Sequence, residues 1–93
     1  MNDFSGQHLV GADFSGQELS KANFQGANLT GANFSGATIS YANFSDAILK
    51  NADLSHAVCD GAKFTQADLT EANCAWANLS ETSFRRACLV NAN

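Results

Sequence analysis

Apolar side chains return at every fifth position of this chain, from Phe4 to Leu89, without a break. In the stretch GANLTGANFSGATISYANF, residues 26–44, each of Leu29, Phe34, Ile39 and Phe44 follows an alanine by two places. A five-residue period fits neither regular element. On an α-helix, steps of five rotate by about 140° and scatter apolar residues over every side. On a flat strand, an odd period sends them alternately to both faces. The pattern instead predicts a chain that turns a corner every five residues, a repeat architecture.

Each pentad can be numbered from its apolar centre, i. There are 18 centres; 15 are Phe or Leu, and they include every Phe and Leu in the chain, the others being Ile39, Cys59 and Cys74. Position i−2 is Ala in 14 of the 18, the exceptions being Asn2, Gln7, Gln17 and Thr82. In a short extended segment i−2 and i point the same way, so both are predicted to face inward, with the small alanine leaving room for the large centre. Position i−1 is mainly Asn or Asp and i+1 mainly Ser or Thr, which places both in water. All seven glycines fall at i+2, as expected of a corner with positive φ. Six of the seven precede residue 40, leaving the later corners, with Asp46, His56 or Trp76, open to a different turn type.

The alternation of Phe and Leu from Phe4 to Leu29 is a ten-residue super-period, so like stacks on like only when a coil holds an even number of pentads. Two sides enclose nothing, and four sides put Phe4, Phe24, Phe44, Phe64 and Phe84 in one column and Leu9, Leu29, Leu49, Leu69 and Leu89 in the next. Segments such as ANLTG, ANFSG, ADLSH and ADLTE resemble the A-(D/N)-L-X-X motif of the pentapeptide repeat family, and the resemblance covers essentially the whole chain. It implies an all-β fold: a right-handed, four-sided parallel β-helix of about 4.5 coils, in a single domain over residues 1–93. The absence of proline suits coils that hydrogen-bond on both sides.

Composition narrows the function. Nine acidic against five basic residues, a net charge of −4, argue against nucleic-acid binding. No apolar run approaches the ~18 residues that span a bilayer, so no membrane partner is expected. The polar opening MNDFSGQ does not read as a secretory signal, which leaves a cytoplasmic location as the default. Cys59, Cys74 and Cys88 are odd in number and lack CxxC spacing, so free thiols are expected rather than disulfides or zinc. Cys59 and Cys74 sit at inward centres and Cys88 at an outward position.

Folded into four columns, the sequence offers little catalytic chemistry. His8 and His56 fall on different sides and coils, so no paired-His metal site forms, and no cofactor is expected. Ser15, Ser35 and Ser55 stack without a His backed by an acid beside them, and read as solvated serines. Asp13, Asn33, Asp53 and Asn73 form a row whose expected task is bonding neighbouring backbone groups. Such a regular array could also bind ice, but no side carries the Thr-x-Thr ranks expected of that role. Tyr41 is a lone outward aromatic, and Arg85 and Arg86 read as a solvated pair. His56 and Trp76 share a corner of adjacent coils and should touch outside the core. Exposed aromatics can anchor a partner, although a plain surface contact is the competing reading.

An enzyme is not expected. Some relatives implied by the resemblance bind DNA gyrase as acidic imitations of the duplex. Duplex DNA carries one charge per ~1.7 Å, so 4.5 coils at ~4.8 Å would need roughly 13 negative charges. The nine carboxylates here divide two, two, two and three among the sides. A non-catalytic structural or protein-interaction module with an unknown protein partner is therefore expected, and a gyrase-binding DNA mimic is the alternative. Asn2, Gln7 and Gln17 should cap the first coil, while Phe84 and Leu89 leave the last coil apolar, suggesting a homodimer through the C-terminal coil. The candidate interaction residues are thus His56, Trp76, Phe84 and Leu89.

Overall fold

In a computed structural model, which describes residues 2–84 and 89, the chain winds so that each pentad lies beside the pentad one coil on. Parallel bridges join residues 20 apart, from Asp3 with Asn23 to Lys63 with Ser83, so four pentads make one turn. The bridges are isolated: only i−1 pairs, because the extended segment between corners is too short for a continuous strand.

One interior pentad, Ala42 to Asp46, shows where the backbone donors go. Ala42 N–H closes the preceding corner onto Ile39 O at 3.1 Å. Asn43 N–H reaches down to Ala22 O (3.0 Å), while those of Phe44 and Asp46 reach up to Lys63 O (2.7 Å) and Thr65 O (2.9 Å). The fifth donor, Ser45 N–H, bonds the Asn43 side chain at 2.9 Å. This last bond explains the Asn/Asp preference at i−1, since a short side-chain acceptor satisfies the amide two residues on. Asp3, Asp13, Asn23, Asn28, Asn33, Asp53, Asp68, Asn73 and Asn78 repeat it, and Glu18 does so with its longer arm. Ile48 and Val58 occupy the same position without an acceptor and are 38% and 37% exposed.

Every corner from residue 6 to residue 81 has positive φ at i+2 and a hydrogen bond from the N–H of i+3 to the carbonyl of i. Positive φ at the third residue alone is the type II signature. The later corners therefore do not change turn type. Asp46 (φ 61°), His56 (60°) and Trp76 (64°) adopt the same conformation as the glycines. The stacked coils impose it, at a local cost of about 1 kcal/mol for a residue with a Cβ.

Alanines and centres fill the interior as expected. Phe24, Phe34, Phe44, Phe64, Leu29, Ile39, Leu49, Leu54, Leu69 and Cys59 are fully buried. The phenylalanines of the first side stack face to face, with centroids 4.8 Å apart for Phe4–Phe24 and 4.9 Å for Phe24–Phe44 and Phe44–Phe64. Phe14 and Phe34 form a second stack that meets the first edge-on at 5.5 Å. Burial, reinforced by Cys74 and Asp60, pushes the Cys59 thiol up to about 12. Burial also raises Cys74, with Asp53 adding to it, and Cys74 is only half-buried. Both cysteines are free. Cys88, Arg85 and Arg86 lie outside the described residues.

Candidate interaction surface

The first side has Phe4, Phe24, Phe44, Phe64 and Phe84 as centres, and the second begins with Leu9. The third has Phe14, Phe34, Leu54 and Cys74, and the fourth has Leu19, Ile39, Cys59 and Leu79. His56 and Trp76 lie on the edge between the third and fourth sides. The rings stack with centroids 6.4 Å apart and planes inclined by 14°. Positive φ at both residues turns their Cβ atoms outward, and Trp76 remains 83% exposed. This is the most exposed large apolar side chain among the described residues.

The opposite edge of the fourth side carries Tyr41, 59% exposed, one coil before Gly61. A Cβ at Gly61 would collide with the Tyr41 ring, so the ring occupies the space the glycine leaves. Tyr41 is an outward aromatic, as expected, and the single late glycine, 20 residues further along, is the sequence sign of where its ring rests. Between the two edges lie Val58 and Asp60, whose carboxylate accepts a hydrogen bond from Ser40 one coil earlier.

Phe84 lies on the first side, away from the His56–Trp76 edge. Phe84 is half-buried on Phe64, with centroids 5.2 Å apart, and is a core side chain; Leu89 is 46% exposed. The remainder of the expected C-terminal contact falls outside the described residues. At the N-terminal coil the Gln7 and Gln17 amides reach the carbonyls of Asp3 and Asp13 only at 3.5 and 3.4 Å. At the other polar i−2 position, Thr82 donates to Cys59 O at 3.1 Å.

Charge is unevenly distributed. The third and fourth sides carry Asp13, Glu18, Asp53, Asp60 and Glu81 against Lys21, five carboxylates to one base. Among the described residues this is a net −4, against a net −2 on the first and second sides, where Asp3, Asp46, Asp68 and Glu71 face Lys50 and Lys63. Lys63 lies on the first side, and Lys50 on the second approaches Asp68 at 3.9 Å. Hydrogen bonds from Ser15 and Ser20, through hydroxyl and then amide, hold Asp13 and Glu18 below the usual carboxylate range, and those from Ser5, amide first, do so for Asp3. Among the described residues no His, Cys, Asp and Glu group is arranged to hold a metal. The row of Ser35 and Ser55 is joined only hydroxyl to hydroxyl, at 3.2 Å. No helix among the described residues is long and apolar enough to cross a membrane.

Comparison with known proteins places this geometry in context. The family described as pentapeptide repeats matches residues 3–36, 27–58 and 57–93, in 8 copies. A pentapeptide repeat protein of the Arabidopsis thaliana thylakoid lumen is 42% identical, with a TM-score of 0.69 over 97% of this chain and 66% of its own. HetL, a pentapeptide repeat protein of the cyanobacterium Nostoc involved in regulating heterocyst differentiation, is 26% identical with a TM-score of 0.70, over 97% of this chain and 48% of its own. The fluoroquinolone resistance protein QnrB1, at 23% identity, a TM-score of 0.55 and coverage of 99% and 53%, shares the fold. The chain thus spans about half to two thirds of the length of these structures. No curated protein matches it.

Proposed function

We propose that this chain, which belongs to the pentapeptide repeat family, is a non-catalytic protein-interaction module. In this reading it is a right-handed four-sided β-helix of about 4.5 coils that displays outward side chains at fixed spacing. The supporting observation is the Trp76–His56 pair, an indole left 83% exposed on the edge between two sides. Trp is among the residue types most enriched as interface anchors, and an exposed indole offers a large apolar area to a partner.

The test is parallel capture from source-cell extract on wild type and Trp76→Ala, with quantitative mass spectrometry. A protein retained by wild type and depleted by the substitution is expected. Identical profiles would refute the reading, and substoichiometric inhibition of gyrase supercoiling would replace it with the DNA-mimic alternative. A homodimer through the C-terminal coil belongs to the same proposal, with Leu89 as the exposed apolar group. Leu89→Asp should then split the dimer in light scattering, whereas a wild-type monomer at ~100 μM would exclude it.

A further inference from the structure

We propose that the Trp76 edge and the fourth side dock an arginine- or lysine-bearing segment of a partner protein, one cation seated on the indole and others paired with Asp60 and Glu81. The proposal rests on the interaction-module reading and adds the chemistry of the partner.

Sign is the first argument. The third and fourth sides meet at Trp76 and, among the described residues, carry a net −4 against −2 on the first and second. A cationic segment approaching there is drawn in by five carboxylates and opposed, among the described residues, by Lys21 alone. On the first and second sides it would meet Lys63 and Lys50.

Shape and polarity are the second. The His56 ring lies 6.4 Å from the indole at a 14° inclination, one coil earlier on the same edge. With 83% of Trp76 exposed, most of the ring surface is available, and an indole is the most favourable aromatic seat for a guanidinium or ammonium. Val58 replaces the usual acceptor at i−1 with a partly exposed apolar surface, and Tyr41 stands 59% exposed at the far edge. A strip with aromatics at both margins and an aliphatic centre suits the methylene stems of Arg and Lys. A purely apolar partner would have to strip water from Asp60 and Glu81 without offering them a counter-charge. A nucleic acid has the wrong sign.

Trp76 is the chain's single tryptophan, so its emission reports this edge alone. The probe is a synthetic peptide of about ten residues with Arg at alternate positions, set beside a Glu-for-Arg peptide and a Leu-for-Arg peptide. Titration should change Trp76 emission saturably with the Arg peptide only and move backbone amide resonances on the third and fourth sides. Trp76→Ala, read by those resonances, should weaken binding about 3–10-fold. Asp60→Asn combined with Glu81→Gln should weaken it by a similar factor, and raising salt from about 0.05 to 0.5 M should do so for wild type. Glu71→Gln, on the second side, should leave it unchanged.

Equal binding of the Glu or Leu peptide, undiminished affinity in Trp76→Ala, or no resonance shift at millimolar peptide would each overturn the proposal. If capture from extract still depends on Trp76 after such a result, only the partner's chemistry is wrong. If capture is also indifferent to Trp76, the interaction-module reading falls with it.

Discussion

Replacing Phe44 with alanine tests the packing of the whole solenoid at one point. The ring is fully buried and lies 4.9 Å from both Phe24 and Phe64, at inclinations of 2° and 4°. It also meets Phe34 edge-on at 5.5 Å and 88°. Truncating a buried Phe costs about 3–5 kcal/mol, with the larger values where the cavity cannot collapse. Collapse is blocked here because Asn43, Phe44 and Asp46 N–H groups are tied to coils below and above. Three aromatic contacts disappear together, each worth roughly 0.5–1.5 kcal/mol beyond its buried area. The loss should therefore fall near the top of that range, about 4–5 kcal/mol, or roughly 16–40 °C in midpoint for a domain of this size. Since small domains are stable by only about 5–15 kcal/mol, the variant should be close to unfolding. Urea denaturation followed by circular dichroism measures this, with Ser45→Ala as the outward control, expected to cost under about 0.5 kcal/mol. Equal losses in the two variants, or a loss under about 1.5 kcal/mol for Phe44→Ala, would show that the stacked column does not carry the stability.

Two further substitutions probe the surface. Gly61→Ala should destabilise more than Gly31→Ala, by about 0.5–1 kcal/mol. Both positions have positive φ, but only at Gly61 does the new Cβ meet the Tyr41 ring, and the difference measured by denaturation should vanish in a Tyr41→Ser background. Asp3, Asp13 and Glu18 have folded pKa values held below the ordinary range, so their stabilisation is present above the unfolded pKa of about 4 and is lost as pH falls through the folded values. Melting temperature should accordingly drop between about pH 5 and pH 2, and less steeply in Asp13→Asn, because Asn accepts the same amide bond without titrating. An identical slope in that variant would mean that Asp13 does not contribute.

The period of five, the register of 20 and the inward pairing of i with i−2 were all legible because each is a repetition. Corner geometry where no glycine stands at i+2 was not. A side chain at i+2 such as Lys21, Tyr41 or Glu71 carries no local sign of positive φ, and only the hydrogen bonds to adjacent coils impose it. The His56–Trp76 contact could be read from register, whereas Tyr41 over Gly61 required noticing an absence of side chain rather than a presence. The acidic residues could be counted per side, but their bearing on a partner emerges only when the bases are assigned as well. Lys50 and Lys63 offset half of the acids on the first and second sides, whereas Lys21 offsets one of five on the third and fourth.

The 20-residue register also constrains how such a gene can change length. Duplicating or deleting one pentad would keep every centre inward and every corner at its turn, so the core would tolerate it. Everything downstream would nevertheless rotate by a quarter turn. A pentad inserted between His56 and Trp76 would carry the indole onto the next edge, away from His56, and redistribute Asp60 and Glu81 among the sides. Folding is therefore conserved for indels in steps of five, but the surface pattern only for indels in steps of 20.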